Sequence, residues 1–299
     1  MSFSAEVKNE LAAVRADRPC CRGAQLYGML EMGHSFSGGA ISLQTEYEAG
    51  AGRYASLLHQ VCGIPEPPVQ PPAKENGFYT VSVADGEDRV QVLERFGHTP
   101  GELNVRLNRA NLECEECAAH YLRGAFLAGG AVTNPSADYH LEFSVPHYNL
   151  SRDLLALLRE LNFNARLVRR KGSPVVYFKE SGQIEDCLTL MGATGASLEL
   201  MHVKIVKNVR NLANRLTNCE SANIDKTVAA SAAQTEAIRR LAGRGGLDSL
   251  PDELKELALL RLDNPELSLR ELGELLEPPL SRSGVNHRLR RLLDLAERD

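Results

Sequence analysis

An octapeptide that returns constrains this chain more than any other feature. Leu26-Tyr27-Gly28-Met29-Leu30-Glu31-Met32-Gly33 is matched, at a constant offset, by Leu122-Arg123-Gly124-Ala125-Phe126-Leu127-Ala128-Gly129. Leucine falls on leucine at the first position and glycine on glycine at the third and eighth. The same offset places Glu46 on Glu142 and Leu58 on Leu154. A repeat of this kind commits the chain to two similarly folded halves. Each copy is apolar with small residues at turn spacing, and a glycine on a helix lets a second backbone come close. The expectation is two helices packed about a pseudo-two-fold axis, each leading one half of a duplicated domain.

The flanking patterns fill in those halves. In the first, Phe3 to Leu11 reads as a helix capped by Ser4, with Val7 and Leu11 on one face. Ile41 to Glu48 and Phe78 to Val83 alternate as half-buried strands do. Tyr54 to Val61 reads as a helix stopped at Gly63, and Asp88 to Phe96 as a short helix. Pro65 to Pro72 is too proline-rich for a central strand and reads as a loop. In the second half Tyr139 to Val145 is a strand and Leu150 to Leu161 a helix. Ala165 to Arg170 and Val175 to Lys179 form a hairpin around Gly172, and Ile184 to Met191 is helical. The whole predicts an α+β tandem-repeat domain over residues 1–218, with repeats of about 1–109 and 110–200 and one saddle-shaped sheet.

Two stretches are basic without intervening acids. The hairpin carries Arg166, Arg169, Arg170, Lys171 and Lys179. Its bland reading is a charged edge that resists aggregation; its functional reading is a ribbon facing DNA phosphates. Lys204, Lys207, Arg210 and Arg215 fall at helical spacing, with Val203, Val206, Val209 or Arg210, and Leu212 supplying the opposite face, as a helix capping the first domain would. Residues 219–246, rich in small residues and ending Gly243-Arg244-Gly245-Gly246, read as a flexible linker.

Residues 247–299 read as a helix-turn-helix. Pro251 to Leu262 is a helix ended by Asn264-Pro265. Ser268-Leu269-Arg270-Glu271 is a capping box before a short helix that Pro278-Pro279 stops. Ser281 then caps a third helix with Val285, Leu289, Leu292 and Ala296 facing in. Ser283, His287, Arg290 and Arg291 lie on its outward side, flanked by Arg282 and Asn286. Arginine and asparagine suit guanine and adenine edges; serine and further arginines suit phosphates. Arg270, Ser281, Arg282, Ser283, Asn286, His287, Arg288, Arg290 and Arg291 are therefore the candidate contacts to double-stranded DNA.

Charge and cysteine usage narrow the class. A net charge of −5 over 299 residues excludes a uniformly basic nucleic-acid binder and leaves local patches. No stretch reaches the roughly 20 apolar residues of a membrane span, and the N-terminus has no signal-type core. Seven cysteines, scattered and odd in number, do not suggest a disulfide framework; the expected location is the cytoplasm. Cys114-x-x-Cys117 with His120 could supply three zinc ligands, with Cys20 or Cys21 a fourth. A structural zinc usually arrives as two paired motifs, so ordinary thiols are the preferred reading, and no metal or cofactor is assigned.

The doubled Leu-x-Gly-x-x-x-x-Gly resembles the paired helices of the LAGLIDADG homing endonucleases. In that family an acid at the eighth position holds divalent metal over DNA. Here the eighth positions are Gly33 and Gly129, and the sixth are Glu31 and Leu127, so the scaffold is expected without the chemistry. With the helix-turn-helix appended, the chain is similar to the bacterial regulator family WhiA. The resemblance rests on Ser2 to Leu11, Tyr121 to Gly130 and Ser281 to Leu289. It implies a non-catalytic, sequence-specific transcriptional regulator, nucleoid-associated, tied to sporulation, cell division and chromosome segregation. Its implied partners are promoter DNA and RNA polymerase or a sigma factor, whose promoter-reading region the helix-turn-helix resembles. Two alternatives stand beside this: a nuclease using displaced carboxylates such as Glu31 with Glu46 or Glu142, and a scaffold whose first domain binds protein.

Overall fold

The structure, a computed structural model, describes residues 2–74, 77–102 and 104–298. It divides after Lys207 into two compact units, each with its own apolar core.

The first unit is built twice. Its first half contains α1 (Phe3–Ala13), α2 (Pro19–Glu31), β1 (Ser35–Phe36), β2 (Ile41–Thr45), α3 (Glu48–Cys62), β3 (Tyr79–Ser82) and α4 (Gly86–Arg95). Its second contains α5 (Cys117–Gly129), β4 (Gly130–Val132), β5 (Leu141–Ser144), α6 (Tyr148–Glu160), β6 (Arg166–Arg170), β7 (Ser173–Phe178) and α7 (Ser181–Met191). The cap of α1 is Ser2, whose hydroxyl accepts from Ala5 N at 3.2 Å. Ser4, expected in that role, lies inside the first turn and accepts from Val132 N at 3.4 Å.

The two octapeptides form α2 and α5, which pack on each other more closely than any other pair of elements. Gly28 and Gly124 make this approach possible. A Cβ on Gly28 would stand 2.8 Å from Ala125 N and nearer still to the Tyr121 carbonyl. One on Gly124 would stand 3.1 Å from Met29 N and nearer still to the Gln25 carbonyl. Leu26, Tyr27, Met29, Tyr121, Leu122, Ala125 and Phe126 fill the space around this crossing and are fully buried. Apolar surface removed from water contributes about 25 cal/mol per Å², so burying this seam stabilises the pairing of the two halves.

The strands form two sheets rather than one saddle. The first is three-stranded, β1-β2-β3; the second is four-stranded, β4-β5-β7-β6; both are antiparallel. Among the described residues no strand of one pairs with a strand of the other, because the halves meet through their leading helices. Inward positions alternate as the sequence predicts: Leu43 pairs with Val81 and Phe143 with Val176, all buried. The hairpin turn falls at Lys171 (φ 50°) and Gly172 (φ 90°), two left-handed residues that match strand twist. The proline-rich loop is bridged to β3 through Gln70 and Thr80.

After α7 the chain enters α8 (Thr194–Gly243). The linker expected over residues 219–246 is helical as far as Gly243. Its small residues are largely alanines, the best helix formers, and the glycine run ends the helix, with Gly245 left-handed at φ 73°. The apolar face expected to pack inward is open: Val209 is 62% and Leu212 60% exposed. Lys204 pairs with Glu185 at 3.0 Å, and Lys207 donates to the Pro135 carbonyl at 2.7 Å, so these two cations brace the first unit. The second unit continues with α9 (Asp252–Asp263), α10 (Leu269–Glu274) and α11 (Arg282–Arg298). No helix among the described residues is long and apolar enough to cross a membrane.

Candidate nucleic-acid interface

The second unit presents α11 on a small three-helix core. Val285, Leu289, Leu292 and Ala296 face in against Leu254, Leu257 and Ala258 of α9 and Leu272 of α10. Ala237, Ile238 and Leu241 close the core from the end of α8, so this unit begins well before residue 247. Ser268 caps α10 with the full capping box. Arg261, 2% exposed, donates to the Leu267 carbonyl at 2.7 Å and so holds the turn between α9 and α10. Gly273 lets α10 approach the chain entering α11: a Cβ there would collide with the Leu280 carbonyl and lie 3.1 Å from Val285 Cγ2. Ser281 accepts from Gly284 N at 3.2 Å and caps α11.

The outward face of α11 has the residues the sequence placed there. Arg282, Ser283, His287, Arg290 and Arg291 are exposed and Asn286 is half-buried. Among the described residues Arg282, Arg290 and Arg291 form no ion pair. Arg288 differs: it is half-buried and pairs with Glu253 of α9 at 2.8 Å, so it fastens α11 to its neighbour instead of pointing outward. Arg270 is exposed but holds Glu274 one turn on at 3.1 Å. Lys226 was missed by sequence reasoning because it fell in the expected linker. It lines, with Ser268, Leu269, Arg270, Arg282 and Asn286, a groove of about 470 Å³ within this unit. Its only sequence signal is a cation on a helix that was not recognised as continuing. Two helix ends, a groove and unpaired arginines are what a duplex phosphate backbone and major groove require of a helix-turn-helix.

The first unit's hairpin is less free. β6 is an edge strand, and Arg166, Arg169, Arg170, Lys171 and Lys179 are all exposed. Arg170, however, pairs with Glu142 at 2.8 Å, Arg169 lies over the Tyr148 ring at 5.0 Å, and Lys179 lies over Tyr177 at 5.9 Å. Arg166 and Lys171 remain without such partners among the described residues.

The ends of α2 and α5, where the homing endonucleases carry their acids, are packed against strands. A Cβ on Gly33 would stand 2.9 Å from the Ser42 carbonyl, and one on Gly129 2.6 Å from that of Ser144. Neither position has room for a carboxylate. The shallow groove of about 350 Å³ between them is lined by Gly33, His34, Gln44, Gly129 and Ser144 among others, with no acid among the described residues. Glu31 is 1% exposed and accepts from the Tyr121 hydroxyl at 2.6 Å. Burial pushes its carboxyl up to about 8, which keeps it protonated at neutral pH. Glu142 is shared by His140 at 2.7 Å and Arg170 at 2.8 Å. The displaced carboxylates do not converge with Glu46 into a metal-ligand cluster among the described residues.

The comparisons agree with this geometry. Residues 118–210 match the family model described as the WhiA LAGLIDADG-like domain, and residues 213–296 match that of the WhiA C-terminal HTH domain. The chain is 40% identical to "Probable cell division protein WhiA" of Carboxydothermus hydrogenoformans over 100% of its own length and 98% of the relative's. It is 41% identical to the protein of the same name from Desulforudis audaxviator, over 99% and 97%. The crystal structure of full-length WhiA from Thermatoga maritima superposes with a TM-score of 0.62 at 26% identity, covering 100% of this chain and 99% of that one. With a duplicated LAGLIDADG-like unit whose acid positions are glycine and a helix-turn-helix unit behind it, the chain belongs to the WhiA family.

Proposed function

We infer that this chain is a non-catalytic, sequence-specific DNA-binding regulator that acts at promoters of cell-division, chromosome-segregation and, in sporulating hosts, sporulation genes. The observation that carries the reading is the face of α11, where Arg282, Arg290 and Arg291 stand exposed, without an ion pair among the described residues, beside Asn286. The relatives' name supports the cell-division role, and the glycine-filled helix ends support the absence of strand cleavage. The chain works in the cytoplasm on the nucleoid, and its resemblance to a promoter-reading helix-turn-helix supports RNA polymerase or a sigma factor as a partner on the DNA.

Selection of bound duplexes from a random pool tests this. Full-length protein recovers one defined motif, and Asn286→Ala relaxes preference at a single base position, a discrimination worth about 1–3 kcal/mol. Recovery of no motif refutes sequence-specific reading. A second reading, in which the first unit binds protein and only α11 touches DNA, is favoured by the way Arg169, Arg170 and Lys179 are engaged by Tyr148, Glu142 and Tyr177. Alanine at Arg166 and Lys171 distinguishes the two: DNA affinity falls if both units grip the duplex and is unchanged if the first is a protein-binding platform.

A further inference from the structure

Four cysteines meet at the opposite end of the helix pair from the glycine-filled positions. Cys20 and Cys21 lie in the first turn of α2, Cys117 begins α5, and Cys114 sits in the turn before it. Cys114 Sγ is 3.7 Å from that of Cys20, 3.6 Å from that of Cys21 and 3.4 Å from that of Cys117. All four Sγ atoms lie within 4.8 Å of one another. A tetrahedral zinc with Zn–S bonds of about 2.3 Å holds its sulfurs about 3.8 Å apart. The cluster therefore has the size and ligand number of a four-thiolate site. Two cysteine pairs more than ninety residues apart, separated by 94 positions from Cys20 to Cys114, are joined only by the pairing of the repeats.

Both helices begin at the cluster, where their positive ends favour anionic sulfur. Burial pushes the Cys21 and Cys117 thiols up, whereas the hydrogen bond from Cys117 holds Cys114 down to about 6. Cys21 and Cys117 are buried, whereas Cys20 and Cys114 are half-buried, which leaves one side for metal entry. His120 is the competing ligand, since its ring lies in a second group with Cys21 and Glu116. Arg123 Nη1 stands 2.9 Å from His120 Nδ1, however, and a second cation beside that guanidinium is disfavoured.

We propose that Cys20, Cys21, Cys114 and Cys117 bind one Zn²⁺ as a structural clamp between the starts of α2 and α5. Four protein ligands close the coordination sphere and leave no open position, so the metal holds the repeats together and does no chemistry. Binding displaces the thiol protons, so the site weakens as pH falls. This proposal goes beyond the expectation of ordinary thiols. The second pair needed for a zinc site is Cys20-Cys21, and the repeat offset that puts Leu26 on Leu122 also puts Cys21 on Cys117.

Metal analysis of the full-length protein, purified without chelator, tests the proposal. One zinc per chain is expected, lost in Cys114→Ser and Cys117→Ser and kept in His120→Ala and in Cys219→Ser, which alters an exposed thiol on α8. Wild-type protein exchanged with Co²⁺ gives a reading that does not depend on the folding of the first two variants. It shows the intense thiolate charge-transfer and ligand-field absorption of a tetrahedral four-sulfur site. Wild-type protein that holds no stoichiometric zinc and gives no thiolate–cobalt absorption overturns the proposal. So does loss of metal in His120→Ala with retention in Cys20→Ser.

Discussion

Gly124→Ala is the sharpest perturbation of the helix pair. Alanine in place of glycine inside a helix normally stabilises by up to about 1 kcal/mol. Here the added Cβ meets backbone: Met29 N at 3.1 Å, the Gln25 carbonyl carbon at 2.9 Å, and its oxygen closer again. Carbon atoms are comfortable at about 3.5–4.0 Å, and a radial gap of about 0.5–1 Å forfeits a quarter to a half of each contact in the seam. No side chain can rotate away, so α5 must move off α2 and loosen the packing of Tyr27, Tyr121, Leu26 and Leu122. Overpacking usually costs about 1–3 kcal/mol, and a backbone obstacle puts this case at the upper end. Net destabilisation of about 2–3 kcal/mol is expected, with Gly28→Ala similar. The double variant costs less than the sum, since one displacement relieves both. The chain has no tryptophan, and its eight tyrosines all lie before Lys207, so tyrosine fluorescence in urea reports the first unit alone. Gly52→Ala on α3 is the control, with nothing within 4 Å of its Cβ; it should be neutral or stabilising. If Gly124→Ala is as stable as the wild type, the close crossing of α2 and α5 is wrong.

Three further outcomes are expected. Glu31 is raised from 4.5 to about 8 in the folded unit, so folded protein keeps a proton that unfolded chain has lost. Its contribution is fully present below about pH 4.5 and declines by about 1.4 kcal/mol per pH unit as pH rises through about 8. Urea titrations should show Glu31→Gln gaining on the wild type across that window, and a constant difference contradicts it. Arg261→Met leaves the part-buried Leu267 carbonyl, beside the core of the second unit, without its partner. It should lower that unit's stability by about 1–3 kcal/mol by thermal circular dichroism, whereas an unchanged melt would show that the turn does not depend on this contact. Supercoiled plasmid incubated with the protein and Mg²⁺ or Mn²⁺ should remain supercoiled; protein-dependent nicking abolished by Glu31→Gln would restore the nuclease reading.

The parts of the fold that were legible in sequence are those where a local pattern and a steric demand coincide. The octapeptides announced α2 and α5 because only glycine fits at Gly28 and Gly124. Gly63 marked the end of α3, and Ser268 with Glu271 marked the start of α10. The single saddle sheet was not legible, since strand alternation says which face is buried and nothing about where pairing stops. α8 was misjudged because a glycine run and small residues look alike in a linker and at a helix end; the alanines decide the matter. Val209 and Leu212 looked inward because periodicity shows that a stripe exists, not that anything covers it. In the candidate interface, the outward set on α11 followed from the apolar stripe opposite it. Arg288 was counted among the DNA contacts because a sequence does not show that Glu253 on α9 comes within reach. The cysteine cluster was half visible, for Cys114-x-x-Cys117 is local and its partners arrive only through the repeat.

The salt dependence of binding to a short promoter duplex tests the central claim most directly. Affinity of the full chain is measured by fluorescence anisotropy across ionic strength, beside an Arg290→Ala, Arg291→Ala double variant. Each phosphate contact contributes about 0.9 to the slope of log affinity against log salt. The account predicts at least about tenfold weaker binding by the double variant and a slope shallower by about one to two. A variant that binds like the wild type, with the same slope, contradicts the assignment of α11 as the helix that meets DNA.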